Sequence, residues 1–399
     1  VAALGTAVEG FAQQGYRALA VARTDAAGRW RLLGLLPLFD PLRDDSAATV
    51  ASLRAMGVGL KMVTGDHLAI ARRTAGELAL GTDILPAAEI ADAARDPAGD
   101  ARLATADGFA EVLPEHKFAL VERLQAQGRI VGMTGDGVND APAIKQADVG
   151  IAVSGATDAA RAAADLVLTA PGLSVIASAI EESRRIFERM IGYATFRIAE
   201  TVRVLLFMTL SIAVFRVYPV TAVMIVLLAL LNDFPIMTIA YDNAPVAAGP
   251  VRWDMRRVLT LSTVLGVTGV AASFMLFWIA RDRFHLPPAQ VQSMVFLKLL
   301  VAGHLTIYLT RGAGPAWQRP WPSWTLFLTC EATQVIGTTA VLAGWFVAPL
   351  DWRYVLFVWL YSLAWFVVNG AVKALTVRWM LRGADGGAAA LSATPAPSR

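Results

Sequence analysis

Six apolar runs, each near the length that crosses a bilayer, follow one another in the second half of this 399-residue chain. They cover about residues 191–214, 220–240, 258–280, 294–309, 324–346 and 354–375. A membrane helix needs roughly 20 apolar residues, and only the fourth run is clearly short. Short connections such as "FRVYP" and "APLDWR" make neighbouring spans antiparallel. The second half therefore reads as an all-α membrane domain of six transmembrane helices.

The first half is different. Up to about Arg189 the chain mixes charged and apolar residues. Its overall content of 56% hydrophobic and 17% charged residues is too apolar for a soluble protein and too charged for a pure membrane bundle. One soluble part followed by one membrane part accounts for both numbers. The net charge is only +3, with much of the basic excess near the ends of apolar runs. That distribution suits membrane topology and not nucleic acid. The single cysteine, Cys330, excludes a disulfide framework. The chain starts at Val1 without a signal-peptide pattern, and the expectation is that it is the C-terminal piece of something longer.

Orientation follows from the Lys/Arg bias. One set of span ends carries Arg252, Arg256, Arg257, Arg311, Arg319, Arg378 and Arg382; the other carries Arg216, Arg281, Arg283 and Arg353. The richer side is the one from which the soluble half enters, so the soluble half is expected in the cytosol. The "RDRFH" connection runs against this bias.

Charges inside spans are costly in hydrocarbon and default to function. Asp233 lies mid-span in "LLALLNDFPIMTIAYDN", beside Asn232 and just before Pro235, which removes a backbone donor and is expected to interrupt the helix. A broken helix next to a carboxylate is a common way to build an ion site. Arg203 lies inside the first span, with Glu200 one turn earlier. The plainer alternative is a structural Asp233–Arg203 pair. Lys298 is expected to snorkel, and His304 and Glu331 to serve packing or interhelical hydrogen bonds.

In the soluble half, strand-like and helix-like segments alternate. "RLLGLLPLF", "VGLKMVTGD", "RIVGMTGDGVND", "VGIAV" and "DLVLT" read as strands, and "ATVASLRAMG", "AIARRTAGELAL" and "KFALVERLQAQG" as helices. This alternation predicts a parallel α/β sheet with ligands at the carboxyl ends of its strands. Two acidic loops fall there, Thr64-Gly65-Asp66 and Asp136-Gly137-Val138-Asn139-Asp140. Asp136 and Asp140 can face one point, and hard carboxylate oxygens suit Mg²⁺, which keeps waters and bridges to phosphate. Thr64 and the Gly65 N–H can bond phosphate oxygens, and Lys117 in "PEHK" can supply a positive charge to a phosphoryl group. Alone, "TGD" is consistent with an ordinary turn and "GDGVNDAP" with a calcium-type or capping loop. Together, in order and at strand ends, they make a phosphoryl-transfer site without its nucleophile.

"MTGDGVNDAPAIKQADVGIAV", with "DPLRDD", "MVTGDH" and "EHK", resembles the P-type ATPases over nearly the whole chain. The resemblance implies a haloacid-dehalogenase-like phosphorylation domain, ATP and Mg²⁺ as cofactors, and an aspartyl-phosphate intermediate. The family's nucleophile sits in an Asp-Lys-Thr-Gly motif that this sequence does not contain, so the phosphorylated aspartate is expected upstream. The first four membrane helices, the actuator domain and most of the nucleotide domain are expected there too, as the missing N-terminal part of the same pump. The resemblance divides the chain into 1–39 (end of the nucleotide domain and return hinge), 40–187 (phosphorylation domain), 188–382 (membrane domain) and 383–399 (disordered tail). It implies Asp136, with Asp140, as metal residues; Asn139 and Asp140 as organisers of the phosphate site; Thr64 and Gly65 as phosphoryl contacts; Lys117 as the neutralising charge; Asp66 as completing its loop; and Asp40 and Arg43 as hinge residues.

"GATDAARAAADLVLTAPGLSVI" and "FDPLRDDSAATV" are similar to the plasma-membrane proton-pump subgroup. That likeness implies Asp233 as proton carrier, with Arg203 near it as in plant-like members, and a multi-pass plasma-membrane location. A buried carboxyl favours its neutral, proton-loaded form, and an approaching guanidinium favours release. A Ca²⁺ or Na⁺/K⁺ site would need several oxygen ligands, whereas Asp233 has only Asn232 and Thr238 as polar span neighbours. The sequence departs from the pattern at "NDFP" and at His67, where glutamine is usual. The tail is too short for a plant-like autoinhibitory domain. The readings left open are a pump for another cation (Ca²⁺, Mg²⁺ or Na⁺/K⁺), a membrane-tethered phosphatase with Asp40 as its only candidate nucleophile, and a non-catalytic membrane protein that keeps the fold.

Overall fold

The computed structural model describes residues 2–26, 28–92, 97–247, 249–251, 253–312 and 314–392. Arg252 of the topology reading and 393–399 of the expected tail lie outside them. The described chain forms two compact units that divide at Ile180 and Glu181.

The first unit begins with helix α1 (Ala2–Gln13) and an antiparallel pair, β1 (Arg17–Thr24) and β2 (Trp30–Leu38), in register from Arg17 opposite Leu38 to Thr24 opposite Trp30. Next come α2 (Ser46–Ala55), β3 (Met62–Val63), α3 (Leu68–Glu77), β4 (Ile84–Pro86), α4 (Ala88–Asp92), α5 (Pro97–Thr105), β5 (Gly108–Ala110) and α6 (Pro114–Ala126). Then follow β6 (Gly132–Gly135), α7 (Ala141–Gln146), β7 (Val149–Ala152), α8 (Asp158–Ala163) and β8 (Leu166–Val167).

Strand follows helix as the alternation predicts, and both inner sheets are parallel: β3-β5-β4 and β6-β7-β8. The predicted strand at 58–66 keeps only Met62–Val63, extended by Met62 N–H to Asp107 O and Thr64 N–H to Phe109 O. Helix α6 serves both sheets. Its Leu120 and Leu124 pack with Phe109, Leu103 and Leu85, while Val121 packs with Ala143 and Ala147 of the second layer. This shared helix sets where Lys117 can reach.

Among the described residues, the second unit holds six helices long and apolar enough to cross a membrane. They are α9 (Ser174–Phe215), α10 (Ala222–Thr238), α11 (Met255–Trp278), α12 (Pro288–Thr310), α13 (Trp324–Ala343) and α14 (Trp352–Ser392). Helix α9 starts well before the apolar run and is continuous through residue 187, where the sequence suggested a domain boundary. The fourth span is not short: α12 has 23 residues. It reads as short because polar residues interrupt its pattern, yet Ser293, Lys298 and His304 are all buried within the bundle. Protein, and not lipid, surrounds that helix. Helix α14 continues through 383–392, within the segment read from composition as a tail.

Pro235 does not break its span. Helix α10 runs three residues beyond it before tightening into a 3-10 turn at Ile239–Tyr241. The carbonyl of Leu231, whose helical N–H partner Pro235 deletes, faces the His304 ring.

Candidate functional sites

The first site is assembled around the start of α6. The loop after β3 is tied down by Val112 N–H donating to Thr64 O and Glu111 N–H donating to Asp66 O, at 3.0 and 2.9 Å. Two residues later the chain enters α6, and one turn into it Lys117 reaches the other acidic loop. Its Nζ lies 2.6 Å from Oδ1 of Asp140, with both side chains largely buried. Asp140 Oδ2 accepts from the backbone N–H groups of Gly137 and Asp136, at 3.3 and 3.4 Å. The geometry thus joins Lys117 directly to the 136–140 loop, while backbone bonds tie the 64–66 loop to the residues just before α6.

Gly135 is required for this. A Cβ there would stand 2.5 Å from the Asp140 Cβ. Only a bare backbone lets the strand end pass so close to the carboxylate.

The side chains are used differently. Asp140 is buried and both its oxygens are engaged, so it organises the loop and holds Lys117. Asp136 is exposed, and among the described residues its carboxylate makes no hydrogen bond or ion pair. It is the one carboxylate of the two loops left unengaged among the described residues. No group of three or more His, Cys, Asp or Glu that could hold a metal occurs among the described residues. Mg²⁺ is commonly held through one or two carboxylates, waters and substrate phosphate, and the free Asp136 carboxylate is a donor of that kind. Asn139 is exposed on the 3-10 turn Val138–Asp140.

Thr64 is already engaged: its hydroxyl donates to Asp66 Oδ2 and accepts from Asp66 N–H, both at 3.1 Å. Asp66 in turn accepts from Arg17 Nε at 2.6 Å. It fixes the Thr64 rotor and leaves the Gly65 N–H, which has no protein acceptor among the described residues, open at the tip of the loop. Asp40 and Arg43 are exposed and make no side-chain bond among the described residues.

The membrane unit rearranges the expected ion site. Arg203 does not meet Asp233. It is buried, pairs with Glu200 of its own helix and donates to Thr306 Oγ1. Helix α10 presents Asn232 to this pair, and Asp233, one residue on, is turned to the exposed face with Val226, Leu230 and Met237. Successive helical residues point about 100° apart, so one residue decides which side a group takes. Thr238 is bonded to Thr329 of α13, so it is not a ligand neighbour of Asp233.

Lys298 does not snorkel. It is 1% exposed and donates to Ser273 Oγ at 2.6 Å and Gly269 O at 3.2 Å on α11. His304 bonds Thr333, and Glu331 accepts from Tyr308, joining α12 to α13 as expected.

Two residues escaped the sequence reading. Asp242 is buried between Arg311 Nε at 2.6 Å and the Ser323 N–H at 2.8 Å, tying the end of α10 to α12 and the start of α13. Lys373 donates to the carbonyls of Leu309, Gly312 and Gly314, capping the end of α12. Charged residues at a span end and within a span were their only signals.

Comparison with known proteins agrees with this architecture. Residues 3–148 match the haloacid dehalogenase-like hydrolase family. The chain is 50% identical over 376 residues to a protein of Methanocaldococcus jannaschii described as a candidate cation-transporting ATPase, covering 93% of this chain and 47% of that one. It is 42% identical over 381 residues to plasma membrane ATPase 2 of Saccharomyces cerevisiae, covering 90% and 39%. It is 40% identical to the plasma membrane ATPase of Kluyveromyces lactis, covering 90% and 41%. The chain thus spans less than half the length of these relatives. Such identity, running through a haloacid-dehalogenase-like unit and on into a bundle of six apolar helices, has one explanation in common descent: the chain belongs to the P-type ATPases of the plasma-membrane type.

Proposed function

We propose that these residues form part of an ATP-driven plasma-membrane pump that exports protons through an aspartyl-phosphate cycle. The observation that carries the transport half is Asp233, a carboxylate in the middle of an apolar helix. The archaeal relative is described only as transporting a cation and the yeast relatives only as plasma membrane ATPases, so the proton rests on the site. Among the described residues Asp233 has no shell of oxygen ligands: Asn232 faces away from it and Thr238 is bonded to Thr329. Ca²⁺ takes six to eight oxygens, whereas a proton needs one carboxylate.

A carboxylate at this depth is not stable against hydrocarbon. The exposed stripe of α10 around it is therefore read as covered by further helices of the same pump. The soluble unit is placed in the cytosol by the Lys/Arg bias.

At the catalytic end, Asp136 would hold Mg²⁺, which when bound with ATP neutralises the phosphoryl charge and orients it for transfer. Lys117 supplies a fixed positive charge beside the phosphoryl oxygens, the Gly65 N–H offers a donor, the Thr64 hydroxyl becomes one when it turns from Asp66, and Asp140 keeps Lys117 extended and the loop closed. Asp40 and Arg43 are read as the hinge that carries these motions. The phosphatase reading lacks support, since Asp40 is exposed and makes no bond to this cluster among the described residues.

The test is ATP-driven acidification of sealed vesicles by the full-length pump, wild type against Asp233→Asn. Loss of acidification in the variant, with no requirement for added Ca²⁺, Na⁺ or K⁺, supports proton transport. Hydrolysis stimulated by a metal ion without acidification overturns it.

A further inference from the structure

Three groups from two helices, α9 and α10, converge on Gly303 of α12. A Cβ at that position would lie 3.3 Å from Arg203 Nη2, 3.6 Å from Asn232 Oδ1 and 3.7 Å from Glu200 Oε2. Gly269 of α11 makes room for the arginine stem, since a Cβ there would stand 2.6 Å from its Cδ. Two glycines thus open a buried recess for one guanidinium and its carboxylate.

The recess is not fully satisfied by protein. Glu200 Oε1, Arg203 Nε and Asn232 Oδ1 are buried with no hydrogen-bond partner. All three side chains belong to residues no more than 6% exposed. Such groups are rare, because each unmet one forfeits a hydrogen bond that water would have supplied. Their chemistry is complementary to one molecule. Two orphan acceptors and one orphan donor match a water that donates twice and accepts once, the usual three bonds of a buried water. A metal cation does not fit: it would face the Arg203 guanidinium with only two open oxygens, and Lys298, bonded to Gly269 O, is close by.

We propose that Glu200, Arg203 and Asn232 hold one buried water beside Gly303, and that Glu200 is a positioning residue that clamps Arg203 away from Asp233. The clamp rests on the reading of Asp233 as proton carrier; the water does not. Glu200 sets how much of the arginine charge Asp233 experiences, since the guanidinium is neutralised on its own helix. The charged and titratable groups around Glu200 are Arg203 on α9 and Lys298 and His304 on α12; α10 contributes only the neutral Asn232. Glu200→Gln keeps the side-chain shape, cancels the negative charge and leaves the guanidinium to Asp233.

The experiment uses the full-length pump in lipid nanodiscs and sealed vesicles. A map sharp enough to show ordered waters should contain a peak within hydrogen-bond reach of Glu200 Oε1, Arg203 Nε and Asn232 Oδ1, and Gly303→Ala should lose it. An empty recess, in a map that shows other buried waters, overturns the hydration site without any variant. In vesicles, Glu200→Gln should move the pH profile of acidification toward acid by about one unit, a tenfold change in proton concentration, with Asp233→Asn inactive beside it. An unmoved profile for a folded Glu200→Gln pump, with Asp233→Asn inactive, sinks the clamp and leaves the proton reading standing. Acidification that survives Asp233→Asn sinks both.

Discussion

Lys117 Nζ and Asp140 Oδ1 stand 2.6 Å apart, joining the first turn of α6 to the loop that follows β6. The pair is mostly shielded from solvent, and Asp140 also accepts two backbone N–H bonds. Removing the ammonium deletes the charge proposed to face the phosphoryl group and frees the loop. Lys117→Ala is expected to lower phosphoenzyme formation by about 10²–10³-fold, read by acid-stable phosphate incorporation in the full-length pump. A variant within twofold of wild type would exclude Lys117 from the reaction.

Asp136 is the open carboxylate of the set. Asp136→Asn should raise the Mg²⁺ concentration for half-maximal hydrolysis by about tenfold or more, the scale of losing a directly coordinating oxygen. A titration of ATPase activity against free Mg²⁺ decides this. Asp140→Asn should instead lower activity at all Mg²⁺ concentrations, because its oxygens are already taken.

Gly135→Ala places a methyl against the Asp140 Cβ. The strand end or the loop must shift, at a cost of about 1–3 kcal/mol. The expected outcome is a lower melting temperature with hydrolysis lost, measured on the purified pump. Gly137→Ala, whose added Cβ would meet Asp140 Oδ2 only at 3.7 Å, should be milder.

Asp242 compensates Arg311 in the membrane unit and caps the start of α13. Asp242→Ala leaves a buried guanidinium without its partner, at about 3–5 kcal/mol. Loss of monodisperse protein in detergent is expected, with partial recovery in Asp242→Ala/Arg311→Met. Failure of the double variant to recover would show that the Ser323 cap matters more than the charge.

Asp148 accepts from the Val131 N–H at 2.8 Å. That bond, helped by the Gln125 amide, holds its carboxyl below the usual range. A carboxyl lowered in the folded state stabilises fully above its unfolded value near 3.8, and the contribution disappears as pH falls through the lower folded value. Asp148→Asn should therefore lower stability at neutral pH, where the carboxylate's contribution is fully present, and flatten the acid limb of a stability–pH curve below about pH 4, where wild type loses it anyway. Unfolding followed by tryptophan fluorescence across acid pH checks it.

Much of this molecule was legible in advance, for reasons that differ by segment. "GDGVNDAP" could be read because its geometry is local: two carboxylates four apart in a glycine loop at a strand end. The inner strands were visible as apolar runs between helical segments, although β4 and β5 are too short, three residues each, to stand out. Spans α9, α10, α11, α13 and α14 followed from length and hydropathy, whereas α12 looked shortened because Lys298 and His304 interrupt a helix that protein covers.

Other relationships join residues far apart in the chain. Arg17 lies 49 positions from Asp66, and Asp242 lies 69 from Arg311; no local pattern marks such partners.

The sequence by itself determined the class of the molecule: an α/β phosphoryl-site unit, a six-helix membrane unit, and the chemical inventory of each. Composition, hydrophobic period and loop chemistry act over a few residues, so they survive without a fold. Only tertiary structure decided how that inventory is used. It turned Asn232 inward and Asp233 outward, gave Arg203 to Glu200, and buried Lys298. Facing is set by the rotation of each helix against its neighbours. A turn of about 100° per residue separates adjacent side chains, and only packing fixes its phase.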